Sequence, residues 1–499
     1  MILDQADNAA ASVTLDDLFR RAGVRRPQAL ALIDPENRAH FTDGAPRRLT
    51  FAQADRAISG VAARLRALNL PTDAVVALQL PNTVESVVAL LGVLRAGMIA
   101  APLPLLWRRH DAVAVLRSIG AKALLTSTRI GAAAQAEIAA GIAAEVFSIR
   151  QVCAFGAAVP DGVNSLDEVF AADTEAKPVT ARLADPAAHI AAVTFDVTAG
   201  GIVPMARSHR QLMAGALGLC HAAKLGQDAH IFSAIAPGTF AGIATTLVPW
   251  LTCGGTLTLH HSFDPATFAT QIEAQDFDAV VVPGPAISRL AQAGLLDAAK
   301  AVLALWRAPE RMQRAEPCEA RGIVLDIANF GELGVVALRR DGIRPAPLPS
   351  GTVSSPDGEG DAAALLEIAR SALGTVMLRG EAVPVSGFPL GSRPHHASSA
   401  GGFIDTGYPC RFDAEAKSFV ITAPPAGVAT VGSCRFVTRE LERLTESIEA
   451  DATLMTLPQE MTGERIAGHA ADGAAVAQEL ARRGVNPLIS GAFLRPRAA

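Results

Sequence analysis

Short apolar runs alternate with amphipathic helical stretches along most of the chain, and this alternation is what most constrains the fold. Residues 50–68 carry an apolar stripe at helical spacing, whereas residues 75–80 form one uninterrupted apolar run of strand length. The same alternation returns over residues 231–282. It is typical of parallel sheets with helices on their faces. We therefore expect an α/β fold with two related β/α sheets in one large domain.

A Pro- and Gly-containing break at residues 422–427 separates this pattern from the last part of the chain. Beyond the break, the sequence shows one clear helix, over residues 473–483. We predict a large N-terminal domain over residues 1–424, with a possible small β subdomain in it. Residues 425–499 are expected to form a small, apparently shortened α+β C-terminal domain.

Composition and charge narrow the functional class. Half of the 499 residues are hydrophobic and 19% are charged, which is sufficient for a large buried core. The net charge of −5 gives no basic face of the kind that nucleic-acid binding requires. The most apolar stretch, residues 84–107, is interrupted by Glu85, Arg95 and two prolines, so it predicts a soluble helix and strand instead of a membrane span.

The six cysteines and the N-terminal residues point to a cytoplasmic protein. No two cysteines lie two or three residues apart, so the spacing predicts buried reduced thiols and no zinc or redox site. Residues 1–10 are polar and lack the basic and apolar regions of a signal peptide.

Several local patterns occur in the order found in one known family. Within residues 49–126, a Pro81-Asn82 turn, an Ala96-Gly97 pair and a Pro102-Leu103 strand follow one another. This segment closely resembles the opening of the adenylate-forming enzymes, which include acyl-CoA synthetases, aryl-CoA ligases, the adenylation domains of peptide synthetases, and luciferases. The resemblance implies an acyl-CoA synthetase-like fold.

Three later segments extend the resemblance over most of the chain. Residues 232–268 look like the family's substrate-pocket helix and the strand after it, and residues 401–413 look like its Thr-Gly-Asp segment. Residues 431–442 look like the segment that opens its small domain. Such enzymes use ATP with Mg²⁺ to join a carboxylate to AMP, and a thiol such as CoA usually accepts the acyl group. The resemblance thus implies ATP, Mg²⁺ and CoA as cofactors and a carboxylic acid or acyl ligand.

The family's phosphate-binding loop corresponds to residues 195–209. Thr198 and Gly200 match it and are candidate nucleotide-binding residues, but Asp196 replaces a serine. Val203 falls where the family has a lysine, and a register set by the neighbouring proline places Met205 there instead. A carboxylate beside a triphosphate is repulsive. The alternative is a Gly-containing turn without any role in phosphate binding.

The family's aromatic-Gly-x-Thr-Glu segment corresponds to residues 330–334. Phe330 and Gly331 are retained as candidate cofactor-binding residues, whereas Gly334 stands in place of the Glu that meets Mg²⁺. Glu332 lies two residues too early and is a weak candidate metal ligand. We expect it to be a solvated loop carboxylate.

The family's ribose-binding segment keeps Thr406 and Gly407 but has Tyr408 in place of the Asp. A phenol cannot reproduce the two hydrogen bonds of a carboxylate. All three residues are candidates for cofactor contact. The resemblance also places Pro424 at the family's linker Arg, and no lysine follows Lys417 at the position of the C-terminal adenylation Lys.

The acyl pocket is less clearly marked. His209, Phe240 and Gly242 are the candidate pocket residues by resemblance, with Phe240 where many family members have His. His209 has an alternative structural interpretation as a residue of a helical first turn. The pair His395-His396 is an alternative metal candidate, although no other ligand type lies near it in sequence.

Three functional hypotheses follow. The replaced ATP contacts favour a non-catalytic or strongly altered relative, a pseudoenzyme that still binds a ligand, a protein partner or a second copy of itself. The alternative is an active ATP-dependent acid–thiol ligase. A third is different chemistry in the same cleft, with Tyr408, Asp196 and Glu332 forming a new polar site.

Overall fold

The computed structural model describes most of the chain, as residues 13–171, 185–353, 366–384, 386–389, 401–448 and 451–494. The histidine pair His395-His396, an alternative metal candidate, lies outside the described residues. No helix in the described ranges is long and apolar enough to cross a membrane.

The described strands, in chain order, are β1 (Leu30–Ile33), β2 (Arg48–Thr50), β3 (Val75–Gln79), β4 (Ile99–Pro102), β5 (Ala123–Ser127), β6 (Gln151–Phe155), β7 (Asn164–Ser165), β8 (Ile190–Thr198), β9 (Gly201–Ser208), β10 (His230–Ser233), β11 (Thr256–Leu259), β12 (Phe277–Pro283), β13 (Ala299–Trp306), β14 (Ile323–Phe330), β15 (Gly334–Arg339), β16 (Leu348–Pro349), β17 (Gly351–Val353), β18 (Leu366–Arg370), β19 (Thr375–Arg379), β20 (Ile404–Asp413), β21 (Ser418–Ile421), β22 (Val428–Val431), β23 (Cys434–Val437), β24 (Thr453–Gln459) and β25 (Gly463–His469).

The described α-helices are α1 (Leu15–Arg25), α2 (Arg38–Phe41), α3 (Phe51–Ala67), α4 (Val84–Arg95), α5 (Arg109–Ser118), α6 (Gln135–Glu145), α7 (His209–Ala222), α8 (Phe240–Gly242), α9 (Val248–Cys253), α10 (Pro265–Glu273), α11 (Ile287–Gln292), α12 (Pro309–Met312), α13 (Thr438–Glu446), α14 (Gly473–Arg482) and α15 (Pro487–Ser490). A π-helical stretch, Ile243–Leu247, joins α8 to α9 without a break.

Two mixed sheets form the large part of the molecule. The first has the order β7-β6-β5-β3-β4-β8-β9 and is parallel except for the edge strand β9. The second has the order β15-β14-β13-β12-β10-β11-β1-β2 and is parallel except for its two edge strands. The predicted pair of β/α sheets is therefore confirmed.

Helix α4 is the centre of the main core, because every one of its residues is buried. It packs against α3 and lies in a cluster that draws apolar side chains from strands of both sheets, such as Leu78 and Val281. This explains the most apolar stretch of the sequence. A helix that is apolar around most of its circumference is stabilised by complete burial of its hydrophobic surface.

Two antiparallel sheets complete the fold. A six-stranded sheet has the order β16-β21-β20-β19-β18-β17, and a four-stranded sheet has the order β23-β22-β25-β24 with α13 and α14 beside it. Strands change from one sheet to the other between Ile421 and Val428. The predicted α/β class with a small α+β part is confirmed, whereas independent domains divided at residue 424 stay a prediction.

Side-chain caps begin the helices that carry the candidate site. At α7, the Ser208 hydroxyl accepts from the Gln211 N–H at 3.2 Å, and the Gln211 side chain accepts from the Ser208 N–H at 3.0 Å. At α8, the Thr239 hydroxyl accepts from the Gly242 N–H at 3.2 Å. Each cap satisfies backbone donors that lack partners within the helix, and so fixes where the helix starts.

A buried ion pair holds together the strands that end at the candidate site. Asp326 of β14 accepts from Arg340 at 2.6 and 2.9 Å, and the indole N–H of Trp306 donates to the same carboxylate at 2.7 Å. The side chains of Asp326 and Arg340 are 0% and 1% exposed. Removing one partner of such a pair leaves an uncompensated buried charge.

We expect Asp326→Ala to lower the free energy of unfolding by about 3–5 kcal/mol, because Arg340 and the Trp306 N–H both lose their acceptor. Asp297→Ala is the matched control, since Asp297 meets Arg321 at 3.6 Å on an exposed surface. Its loss is expected to stay below about 1 kcal/mol. Urea unfolding of both variants measures the difference, and similar losses would contradict the assignment of Asp326 as a core anchor.

Candidate functional site

The hairpin β8–β9 forms one wall of the candidate site and turns within two residues. Thr198 pairs with Gly201 across the hairpin, so that only Ala199 and Gly200 form the turn. The Thr198 hydroxyl accepts from the Gly200 N–H and donates to the Gly201 carbonyl, both at 3.2 Å. The Thr198 hydroxyl and the Gly200 N–H are therefore both bonded within the turn itself.

The two residues that the sequence resemblance aligns with the family's lysine, Val203 and Met205, lie in the core. Val203 and Met205 are each 4% exposed and belong to the cluster beneath the second sheet. Val203 pairs with Asp196 across the hairpin. At this position of the hairpin, the side chain that lines the site is therefore the carboxylate of Asp196 on β8.

Asp196 forms an ion pair with Arg435 of β23, at 2.6 Å between Oδ1 and Nη1. The two side chains are 4% and 14% exposed. The same Asp196 oxygen accepts from the Glu332 N–H at 3.2 Å. One carboxylate therefore joins the first sheet, the turn after β14 and the four-stranded sheet.

Gly331 makes room for this ion pair. Its φ is +61°, a region that favours glycine, and a Cβ at this position would overlap both Asp196 Oδ1 and Arg435 Nη1. The candidate residue Gly331 thus has a structural requirement that the ion pair itself imposes.

Glu332 is buried at 6% exposure, so the expectation of a solvated loop carboxylate is wrong. Its Oε2 accepts from the backbone N–H of Phe240 at 2.7 Å. Burial raises the pKa of the Glu332 carboxyl, and the nearby guanidinium of Arg207 opposes that shift. The turn that contains Glu332 lies between α8 and Arg207. There the Glu332 carboxylate accepts a hydrogen bond from a buried backbone N–H.

Arg207 is a fully buried cation that sequence reasoning did not single out. Its guanidinium lies 3.6 Å from the centroid of the Phe240 ring and donates to the carbonyls of Glu332 and Leu333. Burial lowers the pKa of Arg207 to about 10. Phe240 is 0% exposed and its ring packs on Gly215, so this candidate pocket residue fills space between α7 and the Glu332 turn.

Tyr408 occupies the interior beside Phe330. The two rings meet edge to face, with centroids 5.4 Å apart and planes at 90°, and both side chains are 1% exposed. The guanidinium of Arg435 lies 6.0 Å from the Tyr408 ring centroid. Burial raises the pKa of the Tyr408 phenol to about 12.

Thr406 and Gly407 shape the backbone that carries Tyr408. The Thr406 hydroxyl donates to the Val376 carbonyl at 2.8 Å and accepts from the Tyr408 N–H at 3.3 Å. Gly407 has a φ of +73°, and its N–H donates to Asp405 at 2.9 Å. These retained residues hold the bulge in β20 that turns Tyr408 inward.

The other candidate pocket residues lie apart from this cluster. The His209 Nδ1 accepts from the Leu15 N–H at 3.2 Å, which ties α7 to α1. Gly242 has no room for a side chain, because a Cβ would overlap the Ala236 carbonyl. Gly334 lines a separate apolar cavity of about 280 Å³ between α7 and β15. The assignment of His209, Phe240 and Gly242 to an acyl pocket stays a prediction.

A narrow cleft of about 40 Å³ remains at the centre of the cluster. It lies between the ends of β8, β13 and β14 and the turn that joins β22 to β23. Its polar lining consists of Asp196, Thr239, Arg307, Asn329, Glu332, Thr430, Ser433 and Arg435. The described residues contain no group of three or more His, Cys, Asp or Glu side chains that could hold a metal ion.

Sequence reasoning missed Arg307, Asn329 and Arg435 as lining residues. Arg307 directly follows β13, and Asn329 is the second-last residue of β14, the parallel strand beside it. In open α/β sheets, ligands bind outside the carboxyl ends of the strands, and that rule was the signal available. Arg435 carried no local signal.

A family model described as AMP-binding enzyme matches residues 19–385. The chain belongs to this family. Solved structures similar over nearly the whole chain include MbtA of Mycobacterium smegmatis, with a TM-score of 0.66, 22% identity and coverage of 97% of this chain and 92% of that one. The amide bond synthetase McbA of Marinactinospora thermotolerans has a TM-score of 0.68 and 16% identity, and the match covers 96% and 94% of the two chains. At these identities the likeness shows the fold.

Curated relatives match only a short stretch of this AMP-binding family member. A bassianolide nonribosomal cyclodepsipeptide synthetase of Beauveria bassiana is 31% identical over 103 residues, which are 20% of this chain and 3% of that protein. A beauvericin synthetase of Gibberella fujikuroi is 30% identical over 89 residues, which are 18% of this chain and 2% of that one.

We expect Gly331→Ala to lower the free energy of unfolding by about 2–4 kcal/mol, because it places a side chain at a left-handed φ and displaces the Asp196–Arg435 pair. Gly200→Ala is the control, since a Cβ there would lie 3.5 Å from the Thr198 hydroxyl, an ordinary contact. Limited proteolysis within residues 422–427 should become faster in the first variant alone. Equal behaviour of the two variants would contradict the packing described at Gly331.

Tyr408 is the single tyrosine of the sequence, so its titration is visible without interference. The native phenol should ionise at about pH 12, whereas the unfolded chain should ionise near pH 10. Because the unfolded state loses its proton first, stability should fall as the pH rises from about 10 towards 12. Phenolate absorbance, read immediately after rapid mixing to each pH, measures the value. A native titration near pH 10 would mean that Tyr408 is solvated.

Proposed function

We propose that this AMP-binding family member does not activate carboxylic acids with ATP and acts as a non-catalytic relative that retains the fold. The observation that carries the proposal is the buried Asp196–Arg435 ion pair, which lies at the register of the family's phosphate loop. ATP with Mg²⁺ does not fit the residues described at this site. Three further features support the proposal. They concern the positions that the family resemblance assigns to the triphosphate, to Mg²⁺ and to the ribose.

The hairpin tip offers little to a triphosphate. A phosphate-cradling loop presents several backbone N–H groups to the phosphates, whereas this turn has two residues between its strands. The nearest side chain across the hairpin from Val203 is the Asp196 carboxylate. Its negative charge repels phosphate, and its cation partner Arg435 is already neutralised by the pair.

The carboxylate near the family's Mg²⁺ ligand is directed into the protein. The Glu332 carboxylate accepts from the Phe240 N–H and lies near the buried charge of Arg207. Bringing it to a metal would leave the Phe240 N–H without its acceptor and Arg207 without this nearby negative charge. Gly334, at the family's Glu position, faces the apolar cavity instead.

The position of the family's ribose contact is filled by an aromatic pair. Tyr408 packs on Phe330 and is 1% exposed. A buried phenol offers one donor that stays protonated up to about pH 12, where a carboxylate would accept from two hydroxyls.

An active acid–thiol ligase is the second candidate function. It is favoured by the apolar cavity of about 280 Å³ beside α7, which is large enough to hold an acyl or aryl group. It is also favoured by the likeness to an anthranilate CoA ligase solved with anthranoyl-AMP, at a TM-score of 0.64 and 16% identity. In that case the acid and CoA would be this chain's substrates.

Carboxylate-dependent exchange of pyrophosphate into ATP separates the two candidates. We expect the purified chain to give no exchange above the protein-free blank with short, aryl or long-chain acids in the presence of Mg²⁺. An active family member assayed in parallel shows that the conditions support adenylation. Robust exchange that Thr198→Ala abolishes would reject the proposal in favour of the ligase.

A further inference from the structure

Two thiols from different helices meet beside the apolar cavity that α7 borders. Cys220 lies in the last turn of α7, and Cys253 is the last residue of α9. A side-chain hydrogen bond joins the two thiols, and the residues are 8% and 5% exposed. The spacing of cysteines along the chain gives no sign of this pair, because it is the packing of α7 on α9 that brings the two sulfur atoms together.

The backbone around the two cysteines fixes them as neighbours. The Leu225 N–H donates to the Cys220 carbonyl at 3.0 Å, and the Asp228 N–H donates to the Cys253 carbonyl at 2.9 Å. The short segment from Leu225 to Asp228 therefore reaches from one cysteine to the other. A Cβ on Gly255 would overlap the backbone of Asp228, so the chain after Cys253 is also packed closely against this segment.

The shared hydrogen bond makes the two thiols chemically unequal. It lowers the pKa of the Cys253 thiol, although burial and the charge of Asp278 oppose this. The same bond, together with burial, raises the pKa of the Cys220 thiol. Because the thiolate is the reactive form of cysteine, Cys253 is the thiol that reacts first, and Cys220 lies in contact with it as the second thiol.

The other four cysteines have different surroundings. Cys318 donates to the Ile287 carbonyl at 3.9 Å. Burial raises the pKa of this thiol, as it does for Cys153, Cys410 and Cys434. A buried thiol of raised pKa is poorly reactive. Cys220 and Cys253 therefore differ from the rest in having a second thiol within hydrogen-bonding range.

We propose that Cys220 and Cys253 form a reversible disulfide when the chain meets hydrogen peroxide, which joins the ends of α7 and α9 covalently. This modification site goes beyond the proposed function and does not depend on whether the chain activates carboxylic acids. Hydrogen peroxide is the fitting oxidant, because it is close to water in size and both residues are nearly enclosed. Disulfides that form reversibly in this way are typical of redox-sensing proteins.

The reaction balances with one peroxide for each disulfide. The Cys253 thiolate attacks one peroxide oxygen, the O–O bond breaks, and the sulfur becomes a sulfenic acid while the hydroxide that leaves takes up the thiol proton. The Cys220 sulfur then attacks the Cys253 sulfur, so that the S–S bond forms and the S–O bond breaks. The second hydroxide takes up the Cys220 proton. The thiols lose two electrons in total, and the peroxide is reduced to two waters.

The disulfide would close a loop of about 30 residues and so restrict the unfolded chain. It would also stiffen one wall of the apolar cavity, because Leu219 and Ala222, on either side of Cys220, both line that cavity. Oxidation is therefore expected to stabilise the packing of α7 on α9.

Alkylation under denaturing conditions, before and after peroxide treatment of the full chain, tests the proposal. In the reduced chain we expect all six cysteines to be labelled. In the treated chain only Cys220 and Cys253 should escape labelling and appear as cross-linked peptides, and dithiothreitol should restore their labelling. The oxidised chain should melt about 2–5 °C above the reduced chain.

Two variants separate this pair from general thiol oxidation. Cys220→Ser keeps a hydrogen-bond donor beside Cys253 but cannot close the S–S bond, so we expect Cys253 to stop at the sulfenic acid, which dimedone traps. Cys318→Ser is the matched control at another buried cysteine, 4% exposed, and should form the disulfide as the wild type does. Thermal melting of the reduced variants checks that each folds. Where Cys220→Ser fails to fold, the cross-linked peptides of the wild type and of Cys318→Ser decide.

Full labelling of Cys220 and Cys253 after peroxide treatment, or cross-linked peptides from another pair of cysteines, would overturn the proposal. So would a Cys220–Cys253 disulfide that leaves the melting temperature unchanged. None of these results bears on the pyrophosphate exchange assay, so that failure of this inference and failure of the proposed function are distinguishable.

Discussion

The ion pair between Asp196 and Arg435 is the interaction on which the rest of the site depends. It joins the first sheet to the four-stranded sheet across a sequence separation of 239 residues. Its carboxylate also accepts from the turn after β14, and the glycine in that turn is required for the pair to fit. Because both charges are largely removed from water, either one alone would be strongly destabilising.

The charges around this pair form a self-contained network. Asp196 is matched with Arg435, and Glu332 is matched with Arg207 and the Phe240 N–H. Buried charges are tolerated where each finds a partner, and these partners all come from the protein. An ATP site of this family requires the reverse, with cations and donors that stay available for a ligand.

Much of the fold was predictable because it is encoded locally. The apolar stretch that predicts a helix is α4, buried on every side, and the alternation of strands and helices gives the two mixed sheets. The sequence also predicts an apolar residue, Val203 or Met205, at the family's lysine position, and both of these side chains lie in the core. The spacing of apolar residues and the size and polarity of each side chain can be read from local sequence. These two properties suffice to predict helices, strands and buried positions.

The site was less predictable because its partners are distant in sequence. In the sequence, Glu332 looks like a solvated residue of a short turn between Gly331 and Gly334. It becomes a buried hydrogen-bond acceptor only because the Phe240 N–H, 92 residues away in sequence, lies against it. The structural role of Arg435 likewise depends on its ion pair with Asp196, which is distant in sequence. The pairing of a charge in a buried site depends on tertiary geometry, which periodicity and composition do not contain.

Direct titration of the chain with ATP and with AMP, in the presence of Mg²⁺ and absence of other oxyanions, tests the central claim that protein side chains have replaced the nucleotide. We expect no saturable heat with ATP, because Asp196, Glu332 and Tyr408 already hold the space and the cations. Saturable ATP binding that Arg435→Gln or Tyr408→Phe alters would contradict this account.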